Sequence, residues 1–130
     1  MANLAILQRN TPKVWQKIAG HTTCITDKEQ VVAASGNAKK EFLEKHISQQ
    51  LEDIISKRNT VLAKRQEKGF VPILEVDNEN LYSHELITPI ISEGDVLGAI
   101  IMISDTEPLG ELEGKLVATA AGILGKQMEQ

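Results

Sequence analysis

The spacing of hydrophobic residues changes along the chain between the alternation of a strand and the three-to-four-residue repeat of a helix. Residues 22–26 and 31–35 carry the strand pattern, and the polar tetrapeptide 27–30 between them suits a tight turn. We therefore predict a β-hairpin at this position. Three further strands are predicted at residues 71–76, 85–92 and 96–104.

The last predicted strand is apolar without interruption over residues 97–103, rather than at every second position. A continuous apolar run indicates that both faces of the strand are covered, so we place it at the centre of the sheet. Gly94 can adopt the positive φ that hairpin turns require, which predicts antiparallel pairing with the preceding strand.

Helices are predicted before, between and after these strands. Thr11 and Pro12 suit the start of a first helix, and Gly20 suits its end. Asn37 can cap a second helix, and a third follows Ser48. The apolar residues that these two helices present are Phe42, Leu43, Ile47, Leu51, Ile54, Ile55 and Leu62. Residues 59–69 are predicted as a helix end followed by a basic loop.

The C-terminal helix is predicted from about Gly110 to Met128. One half of its circumference holds the apolar residues, which should face the sheet or the first helix: Leu112, Leu116, Val117, Ala120, Ala121, Ile123, Leu124 and Met128. Small residues on the opposite arc would let another helix approach closely, which suggests a subunit interface: Gly114, Ala118, Gly122 and Gly125. The alternative is a helix surface with incidental glycines.

Together these elements predict one domain over residues 1–130 of the α/β (α+β) class. Its parts are an N-terminal helix at 1–20, a sheet with inserted helices at 21–105 and a C-terminal helix at 106–130. The architecture is a three-layer α/β/α sandwich with a mainly antiparallel sheet of about five to six strands and helices on both faces.

Composition narrows the function. The 130 residues are 42% hydrophobic and 25% charged, as in an ordinary globular domain. The net charge of −4 argues against direct binding to nucleic acid, which needs a basic surface. No apolar run is long enough for a bilayer, so we expect a cytoplasmic protein without membrane contact.

Motifs for catalysis are missing from the sequence. It contains no phosphate loop, dinucleotide fingerprint or nucleophile elbow, and His21, His46 and His84 lack the spacing of metal ligands. We interpret the single cysteine, Cys24, as a structural thiol rather than a redox centre. Acidic residues near a polar loop, Asp77, Glu79 and Glu85, are taken as a solvated turn. We predict neither an enzyme nor a bound metal or cofactor.

Several segments resemble the GAF-like C-terminal regulatory domain of the stage V sporulation protein T family, which are AbrB-like transcription regulators. The resemblance covers about residues 20–130, and its last segments are the most specific. These segments are 32–36 (VAASG), 39–40 (KK), 42–43 (FL), 88–91 (TPII), 94–99 (GDVLGA), 110–113 (GELE), 119–122 (TAAG) and 127–130 (QMEQ).

The resemblance implies a GAF domain with a ligand cavity on one sheet face and terminal helices that pair between subunits. The family's N-terminal DNA-binding domain has no counterpart here. We expect either an isolated regulatory domain of a longer regulator or a stand-alone relative. Polar residues near apolar strands suit the orientation of a ligand, although they also suit caps and turns: Ser35, Asn37, Tyr82, His84 and Thr88.

Our leading hypothesis is a sensory and oligomerisation module in sporulation control. It would form a homodimer or tetramer, bind a small-molecule effector and reach DNA only through an attached or partner DNA-binding domain. The first alternative is a purely structural dimerisation domain. The second is a GAF-type enzyme such as a methionine sulfoxide reductase, which is disfavoured because further cysteines would be needed.

Overall fold

A computed structural model of the protein describes residues 22–35, 38–76 and 82–127. Within these ranges the chain forms five strands, β1 Thr22–Thr26, β2 Val31–Ala34, β3 Val61–Lys64, β4 His84–Ser92 and β5 Asp95–Ser104. They make one sheet in the order β2-β1-β5-β4-β3, and every neighbouring pair is antiparallel. The helix predicted at residues 11–20 lies outside the described residues, as do His21, Asn37, Asp77, Glu79 and Met128.

The predicted N-terminal hairpin is confirmed by the pairing of β1 with β2. Its turn is fixed by Asp27, whose side chain accepts hydrogen bonds from the backbone N–H groups of Glu29 and Gln30 at 2.7 and 2.8 Å. An aspartate at the start of a turn satisfies backbone donors that no strand can reach. The polar tetrapeptide therefore acts as the sequence indicated.

β5 occupies the centre of the sheet, as its unbroken apolar run predicted. It pairs with β1 on one side and β4 on the other, and its residues from Ala99 to Ile103 are all buried. The β4–β5 turn has positive φ at Glu93 and Gly94, the backbone of a two-residue hairpin. At Gly98 a Cβ atom would overlap the backbone of Thr26, so only glycine permits this approach of β1 to β5.

Two elements in the middle of the chain differ from the prediction. Residues 59–69 were expected to end a helix and form a loop, but they contain the edge strand β3, which pairs with β4. Only Ala63 of β3 is buried, and Leu62, predicted to face inward, is 52% exposed. An edge strand with one small inward residue carries almost no apolar signal, which explains the error.

Residues 71–76 were predicted as a strand and form none. A single bridge joins Ile47 to Leu74, and the backbone N–H groups of Val71 and Ile73 bond to side chains rather than to a strand. The helix after Asn37 is also shorter than predicted, because α1 spans Ala38–Phe42 and ends before Ile47. The next helix, α2 Gln49–Ser56, starts where predicted: the Ser48 hydroxyl accepts the Leu51 N–H at 3.0 Å.

The last helix, α3 Glu111–Gln127, covers one face of the sheet. Val117, Ala120, Ala121 and Leu124 are buried against it, as predicted. Leu112 was expected on the same side but is 66% exposed, because the first turn of α3 contributes no residue to that buried cluster. None of the helices described is long and apolar enough to cross a membrane.

The two faces of the sheet carry separate cores, which confirms the three-layer sandwich. Alternate residues of β5 supply them, Ile100 and Met102 beneath α3 and Ile101 and Ile103 beneath α1 and α2.

Candidate functional site

The sheet face opposite α3 carries the buried polar groups that make it the candidate site. It is covered by α1, α2 and residues 70–74, which we call the strap. Beneath the strap lie Tyr82, just before β4, and Glu85, within β4. Glu85 shares this face with Ile87, since residues two apart on a strand point the same way.

Tyr82 is the centre of an aromatic group. Its ring centroid lies 6.3 Å from that of Phe42 and 5.6 Å from that of Phe70, with tilted planes. Its hydroxyl oxygen accepts the backbone N–H of Ile73 in the strap at 3.1 Å. Burial raises the pKa of the Tyr82 hydroxyl, so it stays protonated at neutral pH.

Glu85 is fully buried, although it carries an ionisable carboxyl group. One carboxyl oxygen, Oε1, accepts the Val71 N–H of the strap at 2.8 Å, and the other, Oε2, has no hydrogen-bond partner within residues 22–35, 38–76 and 82–127. Burial raises the pKa of Glu85 to about 8, and the Val71 bond and the Arg65 charge offset only part of that effect. At neutral pH the group is therefore largely a neutral acid.

Arg65 lies at the edge of the aromatic group. The guanidinium carbon is 5.5 Å from the centroid of Phe70 and 5.9 Å from that of Tyr82, within the range of cation–π attraction. The same guanidinium donates to the backbone carbonyl of Tyr82. It is half-buried, so its positive charge acts on the site through a partly dry medium.

The strap is held mainly by side chains rather than by a neighbouring strand. Tyr82 and Glu85 accept the N–H groups of Ile73 and Val71, and the Ser48 hydroxyl donates to the carbonyl of Pro72. The Ser48 backbone N–H adds a bond to the Ile73 carbonyl at 2.9 Å. These bonds and the single bridge of Leu74 to Ile47 hold the strap outside the five-stranded sheet.

The structure brings one of the predicted ligand residues, Tyr82, into this site. Ser35 lies just after β2, where its hydroxyl accepts the Thr23 N–H at 2.9 Å. His84 and Thr88 are each two residues from Leu86 along β4, so they share its face and lie on the α3 side of the sheet. Asn37 is outside the described residues. A joint ligand-binding role for the set stays a prediction, and its described members do not converge.

Two residues of the site, Glu85 and Arg65, were missed. Glu85 was interpreted as part of a solvated turn, which is wrong because its side chain is fully buried in β4. The sequence did contain a signal for this burial. Glu85 lies in a predicted strand two residues before Ile87, which faces the core, so the two side chains point the same way. A charged residue at such a position is rare unless it has a partner or a function.

Cys24 packs in the same core and carries no sign of reactivity. Burial raises the pKa of its thiol to about 12, so the thiolate is scarce at neutral pH. Within the part of the chain that the structure describes, no three His, Cys, Asp or Glu side chains are placed to hold a metal ion.

The small residues of α3 divide between its two sides. Gly122 and Ala118 are exposed, Gly114 is half-buried, and a Cβ atom at either glycine would meet open space. Gly125 differs from the prediction, because it is buried and a Cβ there would overlap the carbonyl oxygen of Ile91. Close packing of α3 on β4 of its own subunit accounts for Gly125. The predicted subunit interface is left with Gly114, Ala118 and Gly122.

Sequence comparison identifies the family. A model of the stage V sporulation protein T C-terminal family, described as a transcription factor, matches residues 11–129. The chain belongs to this family. Stage V sporulation protein T of Bacillus subtilis is 38% identical over 111 residues, which cover 85% of this chain and 61% of the relative. The chain thus spans about three-fifths of that relative's length.

Solved structures identify the fold of this family member as a GAF domain. The cofactor-binding GAF domain of the nutrient sensor CodY from Clostridium difficile covers 98% of the chain and 99% of its own, with a TM-score of 0.65 and 13% identity. GAF-B of DevS from Mycobacterium smegmatis covers 97% and 94%, with a TM-score of 0.68 and 14% identity. A type II free methionine-R-sulfoxide reductase from Thermoplasma acidophilum covers 93% and 88%, with a TM-score of 0.66 and 13% identity.

These findings confirm the resemblance to the sporulation family and the predicted GAF-like sandwich. At this level of identity the solved structures support the fold alone.

Proposed function

We propose that this domain is a non-enzymatic regulatory module that binds a small-molecule effector beneath the strap and pairs with a second copy of itself. The observation that carries the proposal is the buried group of Tyr82 and Glu85, polar residues within an otherwise apolar core. Ligand sites are largely apolar with a few placed polar groups, and this face has that character.

The effector would act by shifting populations. A molecule that binds one arrangement of the strap and subunits more tightly than another favours that arrangement. In a transcription factor, the change would reach an attached or partner DNA-binding domain as altered spacing or stability of the DNA-binding pair. The domain itself, with its net charge of −4, has no need to touch DNA, and its place would be the cytoplasm.

Pairing of subunits would use the outer side of α3. Gly114, Ala118 and Gly122 lie there, and their small size lets a second helix approach closely. The assembly would be a homodimer or a tetramer. The alternative of a purely structural dimerisation domain shares this interface but has no ligand.

A thermal-shift screen of the 130-residue chain with small molecules tests effector binding. A ligand of the native state raises the melting temperature by mass action. Amide chemical shifts in the strap and around Tyr82 then tell binding at this face from binding elsewhere. A broad library that yields no stabilising ligand would sink the proposal and favour the structural alternative.

Gly122→Leu tests the pairing. A Cβ at Gly122 meets open space within the subunit, so the larger side chain should leave the monomer fold intact while blocking a close helix contact. We expect sedimentation velocity to show the oligomer dissociating to monomer. Gly122→Ala is the matched control and should keep the oligomer while adding up to about 1 kcal/mol of helix propensity. An unchanged mass for Gly122→Leu contradicts the interface.

Catalysis receives no support from the site. The sulfoxide reductase shares the fold, but an enzyme that oxidises a cysteine to a sulfenic acid needs a second cysteine to resolve it. This sequence has one, Cys24, and its thiol is buried and protonated.

A further inference from the structure

The second carboxyl oxygen of Glu85, Oε2, is buried and has no hydrogen-bond partner among the described residues. A buried polar atom without a hydrogen bond costs about 1–3 kcal/mol, so each one in a native protein calls for a reason. Four side-chain atoms of the described residues are in this condition, on Thr26, Glu85, Thr88 and Gln127. Of these four residues only Glu85 carries an ionisable group, and it bonds to the strap as Tyr82 does.

The hydrogen bond at Oε1 of Glu85 determines what Oε2 can do. Oε1 accepts the Val71 N–H, so the proton of a neutral Glu85 resides on Oε2. Burial keeps the group largely neutral at pH 7, as its raised pKa indicates. Oε2 therefore offers an O–H donor that has no acceptor among the residues that the structure describes. The missing partner is a hydrogen-bond acceptor.

The surroundings favour a carboxylate as that acceptor. The half-buried guanidinium of Arg65 lies over the rings of Phe70 and Tyr82 and gives this end of the site a positive potential. The two rings, whose planes are tilted by 32°, offer an apolar wall. An ammonium group would be repelled by Arg65 and would require Glu85 to lose its proton in a dry site.

We infer that the effector is a small carboxylate on a flat apolar body, and that Glu85 is the residue that recognises the carboxylate. The inference rests on the proposed function, because it names the ligand class of the same site. Entry requires the strap to lift, which breaks its bonds to Ser48, Tyr82 and Glu85 rather than a strand ladder.

Benzoate serves as the probe, with benzylamine as the matched molecule of opposite charge. Titration of the full chain, followed by amide chemical shifts, should show benzoate perturbing Val71 and Ile73 at about pH 6.5. At about pH 9, one unit above the Glu85 pKa, roughly a tenth of the molecules keep the proton. The affinity for benzoate should therefore fall about tenfold, and benzylamine should not bind.

Glu85→Gln sharpens the test because its amide keeps an N–H donor and does not titrate. Benzoate should bind this variant about equally at both pH values. Glu75→Gln, an exposed glutamate next to the strap, is the control and should keep the wild-type pH dependence. The wild-type comparison of the two probes stands even if Glu85→Gln fails to fold.

The inference is overturned if benzoate leaves the Val71 and Ile73 amides unmoved, if its affinity rises with pH, or if benzylamine binds in preference. Its failure differs from that of the proposed function. Molecules of another class that bind beneath the strap would refute the carboxylate and keep the effector site.

Discussion

The two faces of the sheet are built differently. Beneath α3 the core is mainly apolar, with Leu86, Ile90, Ile100 and Met102 packed against one helix of 17 residues, and it includes the buried side chain of Thr88. On the opposite face the cover consists of helices of five and eight residues and the irregular strap, and Tyr82 and Glu85 lie buried among the apolar side chains. The first face is mainly apolar and lies under one long helix, whereas the second has buried polar groups and is covered by short elements.

This difference suggests that the α3 face mainly stabilises the fold and that the strap face serves recognition. Apolar area removed from water on the α3 face stabilises the fold in proportion to its extent and needs no special residue. The strap face places a carboxyl group where burial opposes its charge, an arrangement that costs stability and often marks a functional site. Substitutions at Glu85, Leu124 and Tyr82 test this division between the two faces.

Glu85 should make stability depend on pH. In the unfolded chain this carboxyl loses its proton near its ordinary pKa of 4.5, whereas in the folded protein it keeps the proton to about 8. Stability should therefore fall as pH rises from about 4.5 to 8 and then level off, by up to about 5 kcal/mol in total. Urea unfolding at fixed protein concentration should show that Glu85→Gln removes this slope and Glu75→Gln retains it. An identical slope in all three proteins would contradict it.

Leu124→Ala probes the α3 face. Leu124 is fully buried in the apolar core, so its truncation should lower the free energy of unfolding by about 3 kcal/mol, by loss of burial and by the cavity left behind. Urea unfolding measures the loss, and Leu62→Ala, at an exposed site on β3, should change stability by less than about 0.5 kcal/mol. Equal losses at the two positions would show that α3 is not packed as described.

Tyr82→Phe probes the strap with a smaller effect. The ring packing stays, but the hydroxyl that accepts the Ile73 N–H is lost, which should cost about 1–2 kcal/mol. Hydrogen exchange should quicken at Ile73 and its strap neighbours and stay unchanged in β5, because local opening precedes global unfolding. Uniformly faster exchange across the sheet would mean that the strap is not a separate unit.

The sequence predicted the parts of the fold that burial determines. The run of apolar residues at 97–103 identified the central strand, and Ser48 identified the start of α2. Both signals are local, since a residue pattern or a cap reports directly on the element that contains it. The hairpin turn at Asp27 belongs to the same class.

What the sequence could not predict depends on contacts between distant segments. The edge strand β3 exists because β4 offers it a partner, not because its own residues alternate strongly. The strap looked like a strand because its residues are apolar, yet Glu85 and Tyr82 occupy the hydrogen bonds that a neighbouring strand would make. The burial of Glu85 beneath the strap depends on the same arrangement, so the most informative residue of the candidate site was missed.

The order of strands also has a consequence for synthesis on the ribosome. β1 forms its long pairing with β5, and Thr22 meets Ile103 roughly eighty residues further along the chain. The hairpin of β1 and β2 therefore emerges with one side unpaired and has to wait for β5 before the sheet can close. Such distant pairing slows folding and leaves a nascent chain open to wrong partners until β5 has been made.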